Sequence, residues 1–282
     1  MLNLSCILYD VGFKAGSFEG LVEDIVAKTR AEWAAGADVV VFPEYVWMCG
    51  APYTSPGFND HALADSFWTV HFARLKKELC VTGKTVILGS GPRIVGDKLY
   101  NTSVIFNDGS TILQDKINLT PWESDYAGGD TIHVFKVGAL NCVTVICLDS
   151  EMPDISQMLK DRGDIDLVFV PSCTETLMGA ERVMRCSSAR AVELACAFVV
   201  CGLRGHIEGF DFMISNAGGA ALYMPSLKGL EGVSRMQETP VEMEGYAVQR
   251  YIVDPAVLKL AKKTTETTNP AVIKSPKTIC LR

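Results

Sequence analysis

Apolar residues along this chain recur at two different spacings, and the switches between them lay out the elements. Leu4 to Tyr9 is a mostly apolar run of strand length. Ser17 stands where a helix cap is expected, ahead of Val22, Ile25, Val26, Thr29 and Trp33 at three- and four-residue intervals, and Gly36 closes that segment. Strand Val39 to Phe42 follows, then a loop, then a helix from about Ala64 to Val81 with Trp68, Phe72, Leu75 and Leu79 on its apolar side, then strand Thr85 to Leu88. Tyr100 to Phe106 and Ser110 to Gln114 flank Asn107-Asp108-Gly109, a hairpin signal because Asp-Gly accepts the positive backbone angles of a tight turn. A second hairpin is expected from Thr131 to Val137 and Ala139 to Ile146 around Gly138. Helix and strand then alternate over Ile155 to Arg162, Leu167 to Val170, Gly179 to Ala195 and Phe198 to Cys201. The pattern predicts an α/β fold with mixed sheets covered by helices, and by itself goes no further.

At 282 residues the chain could hold one large domain or two small ones, and a hydrophobic content of 48% is ample for a substantial core. No linker-like stretch interrupts the alternation before about Lys262, so one domain is expected over 1–262, with a polar tail over 263–282 that could pack on a partner subunit. The net charge of −7, with basic residues scattered, argues against a nucleic-acid surface. The start, MLNLSCILYD, lacks the basic and apolar regions of a secretion signal, and no run approaches the roughly 20 apolar residues of a membrane span. A cytoplasmic protein is expected. The ten cysteines then read as reduced, with Cys6, Cys142, Cys196 and Cys201 as small buried hydrophobes. No CxxC or HExxH occurs, so neither metal nor cofactor is expected.

Three strand ends carry chemistry. Val39 to Phe42 runs into Pro43-Glu44, Ser110 to Gln114 into Asp115-Lys116, and Val143 to Ile146 into Cys147, followed by a polar turn and Pro153. If neighbouring strands of one sheet deliver them, the chain has a base, a cation for an oxyanion and a nucleophile, the parts acyl transfer requires.

At this point a resemblance becomes specific. FPEYVWM, DKINLTPWES and VICLDSEMPD resemble the three signature segments of the nitrilase superfamily of carbon-nitrogen hydrolases, and VPSCTETLMGAERVMR with its continuation resembles the strand, loop and long helix that follow the nucleophile there. The likeness spans about residues 4 to 260 and is strongest to an amidase-like subgroup sometimes fused to an acetyltransferase domain, for which no room is expected here. It implies a four-layer αββα sandwich and a catalytic triad of Glu44, Lys116 and Cys147, with the Leu148 N–H as second oxyanion donor. Glu123 is implied as a supporting active-site carboxylate. Tyr45, Trp122, Leu148 and the loop residues Cys173 and Thr174 would surround the thiol. Asp149 and Glu151 could satisfy turn amides or pair with Arg190, Arg182 and Arg185 could bind a substrate carboxylate or neutralise Glu181 and Glu175, and Glu193 would brace Arg190. A homodimer or larger assembly is implied, with Ile155 to Leu159 and Val183 to Val192 facing the partner.

Two positions depart from the family pattern, Leu148 in place of a frequent Tyr or Trp and Leu194 in place of an Asn, and both touch pocket shape. The reaction implied is hydrolysis of a small primary amide through a Cys thioester. An N-carbamoyl amine hydrolase or a nitrilase would use the same three residues, a glutamine-hydrolysing domain could feed a separate synthetase, and a non-catalytic interaction module could retain the fold.

Overall fold

The computed structural model describes residues 1–55, 59–209 and 214–263. The expected tail therefore lies almost wholly outside the described residues. The elements in chain order are β1 (Leu2–Leu8), α1 (Phe18–Ala34), β2 (Val39–Val41), α2 (Asp60–Asp65), α3 (Phe72–Leu79), β3 (Thr85–Val95), β4 (Lys98–Asn107), β5 (Ser110–Asp115), β6 (Phe135–Val137), β7 (Leu140–Thr144), α4 (Pro153–Arg162), β8 (Leu167–Ser172), α5 (Leu177–Glu193), β9 (Ala197–Gly202), β10 (Ala220–Tyr223), β11 (Met236–Glu238), β12 (Ala247–Val253) and α6 (Pro255–Ala261). They form two six-stranded mixed sheets, in the orders β12-β1-β2-β3-β4-β5 and β11-β10-β9-β8-β7-β6. Parallel pairs sit at the centre of each sheet, β1 with β2 and β2 with β3 in the first, β7 with β8 and β8 with β9 in the second.

Alternation along the central strands explains the layers. In β2, Val39 and Val41 face the other sheet while Val40 faces α1; in β8, Leu167 and Phe169 face the other sheet while Val168 and Val170 face α5. Both faces are buried, which is why these strands read as unbroken apolar runs. The order of layers is thus α1 with α3, first sheet, second sheet, α4 with α5: the αββα sandwich.

Several boundaries differ from expectation. The helix expected from Ala64 begins at Asp60 and is interrupted by a wider π turn over Ser66–His71, which lets Phe67 stack on Trp47 at 3.6 Å with Trp68 edge-on to both. Strand β6 starts only at Phe135, because the Gln114 side chain caps the preceding segment by accepting from His133 N and donating to Thr131 O. In α1, Glu32 rather than Trp33 is fully buried, held by Arg250 and Ser5. The Asp108-Gly109 turn has both residues at positive φ, as the hairpin signal required. Ser17 caps α1, and Cys6, Cys142, Cys196 and Cys201 are buried. Among the described residues no helix is long and apolar enough to cross a membrane.

Candidate active site

Glu44, Lys116 and Cys147 converge, but they do not come from neighbouring strands of one sheet. Glu44 follows β2 and Lys116 follows β5, both in the first sheet and separated there by β3 and β4; Cys147 follows β7, in the second. Strand direction makes this possible. Strand β5 is antiparallel to β4, which is antiparallel to β3, so β5 ends on the same side as the parallel pair β2 and β3. Ligand sites in such sheets lie outside the carboxyl ends of the strands.

Each loop is fixed by local devices. After Glu44 the chain turns at Tyr45, a left-handed residue with φ 59°, and Trp47 anchors the loop by donating from its indole N–H to Leu88 O at 3.0 Å. The loop fits because β3 bulges between Ile87 and Ser90 around Gly89, at φ 69°, where a Cβ would lie 2.0 Å from Pro43 O. Cys147 is itself left-handed, φ 48°, at the first position of a short 3-10 turn over Cys147–Glu151. Such backbone costs a non-glycine residue on the order of 1 kcal/mol or more and concentrates at working sites. Asp149 pins the turn to the Lys116 segment by accepting from Asn118 N (2.7 Å), Asn118 Nδ2 (3.0 Å) and Ile117 N (3.2 Å), so of the two expected roles it takes the turn amides.

The side chains form one dense polar cluster. Glu44, Lys116 and Glu123 are each 0% exposed. Lys116 Nζ donates to Glu44 Oε1 at 2.9 Å and to Glu123 Oε2 at 2.8 Å. Glu123 Oε2 also accepts from Thr120 N and Thr120 Oγ1, and its Oε1 from the Tyr45 hydroxyl at 2.7 Å. Glu44 Oε2 accepts from Cys173 N at 2.8 Å. The Cys147 thiol donates to Cys173 O, 3.5 Å away, and lies within electrostatic reach of the Glu44 carboxylate.

Burial and charge act in opposite senses here. Burial raises Glu44 above the ordinary carboxylate range, reinforced by Glu123 and opposed by Lys116. Burial would also raise Glu123, but Lys116, the Thr120 amide and Tyr45 hold it below that range. Lys116 is pushed down by burial and, more strongly in sum, up by Glu44, Cys147 and Glu123, so it stays an ammonium. Burial and the Glu44 charge raise the Cys147 thiol far up, with Lys116 pulling the other way; the resting sulfur is a thiol.

A cavity of about 300 Å³ opens over this cluster, lined by Cys147, Leu148, Trp122, Cys173 and Thr174 among others. Tyr45 is not part of that lining. It is fully buried behind the cluster, holding Glu123, with its ring 5.3 Å from that of Trp122. Arg182 lines the cavity and pairs with Glu151 at 3.1 Å; Arg185 points away, loosely paired with Glu181, and Arg190 is braced by Glu193. Asn101 went unread in the sequence. Its Nδ2 donates to Glu44 Oε1 at 2.8 Å and to Glu123 Oε1 at 2.9 Å, bridging the two carboxylates. The one signal in the sequence was an Asn inside the expected strand Tyr100 to Phe106, where that residue is depleted; it hints at a role but not at the partners.

The model of the carbon-nitrogen hydrolase family matches residues 10–244. Probable hydrolase YhcX of Bacillus subtilis is 28% identical over 232 residues, 78% of this chain; the chain spans 44% of that relative's length. Among solved structures, XC1258 from Xanthomonas campestris, described as a CN-hydrolase superfamily protein with an arsenic adduct in the active site, superposes with a TM-score of 0.71 at 18% identity, over 93% of this chain and 94% of that one. An amidase from Nesterenkonia sp. superposes with a TM-score of 0.68 at 17% identity, over 92% of both chains.

Proposed function

The chain belongs to the carbon-nitrogen hydrolase family of the nitrilase superfamily, and from that premise we propose that it hydrolyses a small primary amide to a carboxylic acid and ammonia through a thioester on Cys147. The observation that carries this reading is the buried Lys116 ammonium, clamped between Glu44 and Glu123 beside a thiol that Glu44 can deprotonate. Cys147 Sγ attacks the amide carbon as Glu44 takes its proton. Lys116 has three N–H donors, of which two go to Glu44 and Glu123; the third, with the Leu148 N–H at the start of the turn, receives the oxyanion. Collapse breaks the C–N bond, and Glu44 returns the proton so that ammonia leaves. Glu44 then draws a proton from water, which attacks the thioester and releases the acid and the thiol. Glu123 keeps Lys116 in place and charged, and Asn101 holds the two carboxylates in register. The description of the Nesterenkonia neighbour as an amidase agrees with this reading.

Ammonia release from short primary amides, ω-amides, N-carbamoyl amino acids and nitriles tests it, with Cys147→Ala as the comparison. Turnover of amides by the wild type and none by Cys147→Ala is expected; full activity in Cys147→Ala overturns the mechanism.

Assembly is part of the proposal. In α4 and α5, Ile155, Leu159 and Val183 face the chain's own core, whereas Met158, Leu177, Met178 and Val192 are exposed and apolar. A second copy covering these residues accounts for them. Sedimentation at micromolar concentration is expected to give at least a dimer, and a monomer would refute it.

A further inference from the structure

Charges around the cavity are unbalanced. Its lining holds two carboxylates, Glu151 and Glu175, and one cation, Arg182. Arg182 is engaged through its Nε by Glu151 Oε2 at 3.1 Å, which leaves Glu175 as the carboxylate in excess at the mouth. Beneath it, the ammonium of Lys116 is taken up by Glu44 and Glu123, so it does not offset Glu175. A concave site whose charges sum to one sign concentrates ligands of the other. The aromatic wall favours the same ligand. Trp122, 38% exposed, lines the cavity, and its ring already lies 5.7 Å from the Lys116 ammonium, so its π face is turned to cations.

We infer that the ligand this cavity takes carries a cationic group, an ammonium set off by a short spacer from the carbon that Cys147 attacks and read by Glu175 and the Trp122 ring. The spacer follows from the chain. Cys147 Sγ is 3.5 Å from Cys173 O, and Glu175 is two residues further, its Cα within about 7.6 Å of that of Cys173. A cavity of about 300 Å³ leaves room for a small molecule only. An anionic ω-amide would meet Glu175 with only a pre-engaged Arg182 to offset it. That the cationic ligand is a substrate rests on the amide hydrolysis proposed above; the charge preference of the cavity does not.

The first test therefore needs no turnover. Cys147 is labelled with three methanethiosulfonates carrying an aminoethyl cation, a neutral methyl or a sulfonatoethyl anion. In each case the thiolate forms a mixed disulfide and methanesulfinate leaves. Rates at the Cys147 peptide are read by mass spectrometry and divided by those with a free thiol. The cationic reagent is expected to lead the anionic one by about tenfold and the neutral one by about threefold, with the advantage shrinking in 0.5 M salt and in Glu175→Gln. Equal corrected rates, or an anionic lead, would overturn the inference.

The second test compares kcat/KM for 6-aminohexanamide, hexanamide and adipic acid monoamide. A preference of about fivefold or more for the first over the second, reduced in Glu175→Gln, supports the inference. Hydrolysis of all three without preference defeats it while leaving the amidase reading intact. A cationic lead in labelling with no amide hydrolysed defeats the amidase reading and leaves the cavity's preference standing.

Discussion

Glu44 must take a proton from a thiol that burial and charge both hold far above its ordinary pKa, and its own raised pKa narrows that gap. The folded pKa lies above the ordinary 4.5, so the protonated form is the one the fold favours: the contribution of Glu44 to stability is greatest below its unfolded value and is lost as pH rises through the folded one. Glu123 runs the opposite way, stabilising above its unfolded value and losing that as pH falls. For catalysis Glu44 must be ionised, so the acid limb of kcat/KM is expected above 4.5. Glu123→Gln should move that limb downward, because the Glu123 charge helps hold the Glu44 proton; a pH–rate profile checks both position and direction. Asn101→Leu removes a donor from each carboxylate. It should lower kcat/KM by about 100-fold and move the limb upward, since those donors favour the ionised forms. A thermal melt separates this from simple unfolding.

Elements place these residues by close backbone fits. Where β3 bulges, Gly89 lets the Pro43-Glu44 turn approach, and a methyl there meets Pro43 O at 2.0 Å on a backbone that already needs positive φ. Gly89→Ala is expected to cost about 2–4 kcal/mol in a urea titration and most of the activity, through displacement of Glu44. Runs such as Val39 to Phe42 and Leu167 to Val170 were legible in the sequence because burial on both faces leaves an unbroken apolar signal. Strands β10, β11 and β12 were not. They are short or edge strands, and β12 carries Gln249 and Arg250 among its apolar residues. The positions of Glu44, Lys116 and Cys147 at strand ends were legible; their division between two sheets was not, because periodicity assigns a face but not a sheet. Asn101 escaped for a related reason: its partners lie 57 and 22 residues away, and no local pattern marks a contact made only in three dimensions.

Across the whole molecule the buried cluster ties its layers together. Glu44 accepts from Lys116 within its own sheet and from Cys173 N, at the end of β8, in the other; Asp149 after β7 holds the amides that follow Lys116. Lys116→Met would leave two buried carboxylates without their cation, and about 3–5 kcal/mol of stability should be lost in equilibrium denaturation. The division of base and nucleophile between sheets has a further consequence for how the protein fails. A slight parting of the two sheets along their shared apolar seam draws Glu44 away from the sulfur while every strand keeps its own ladder. In rising urea, turnover should therefore vanish at a lower concentration than the far-ultraviolet dichroism of the strands. The reaction becomes a gauge of contact across the seam, silent once the halves of the molecule drift apart even while each half keeps its shape.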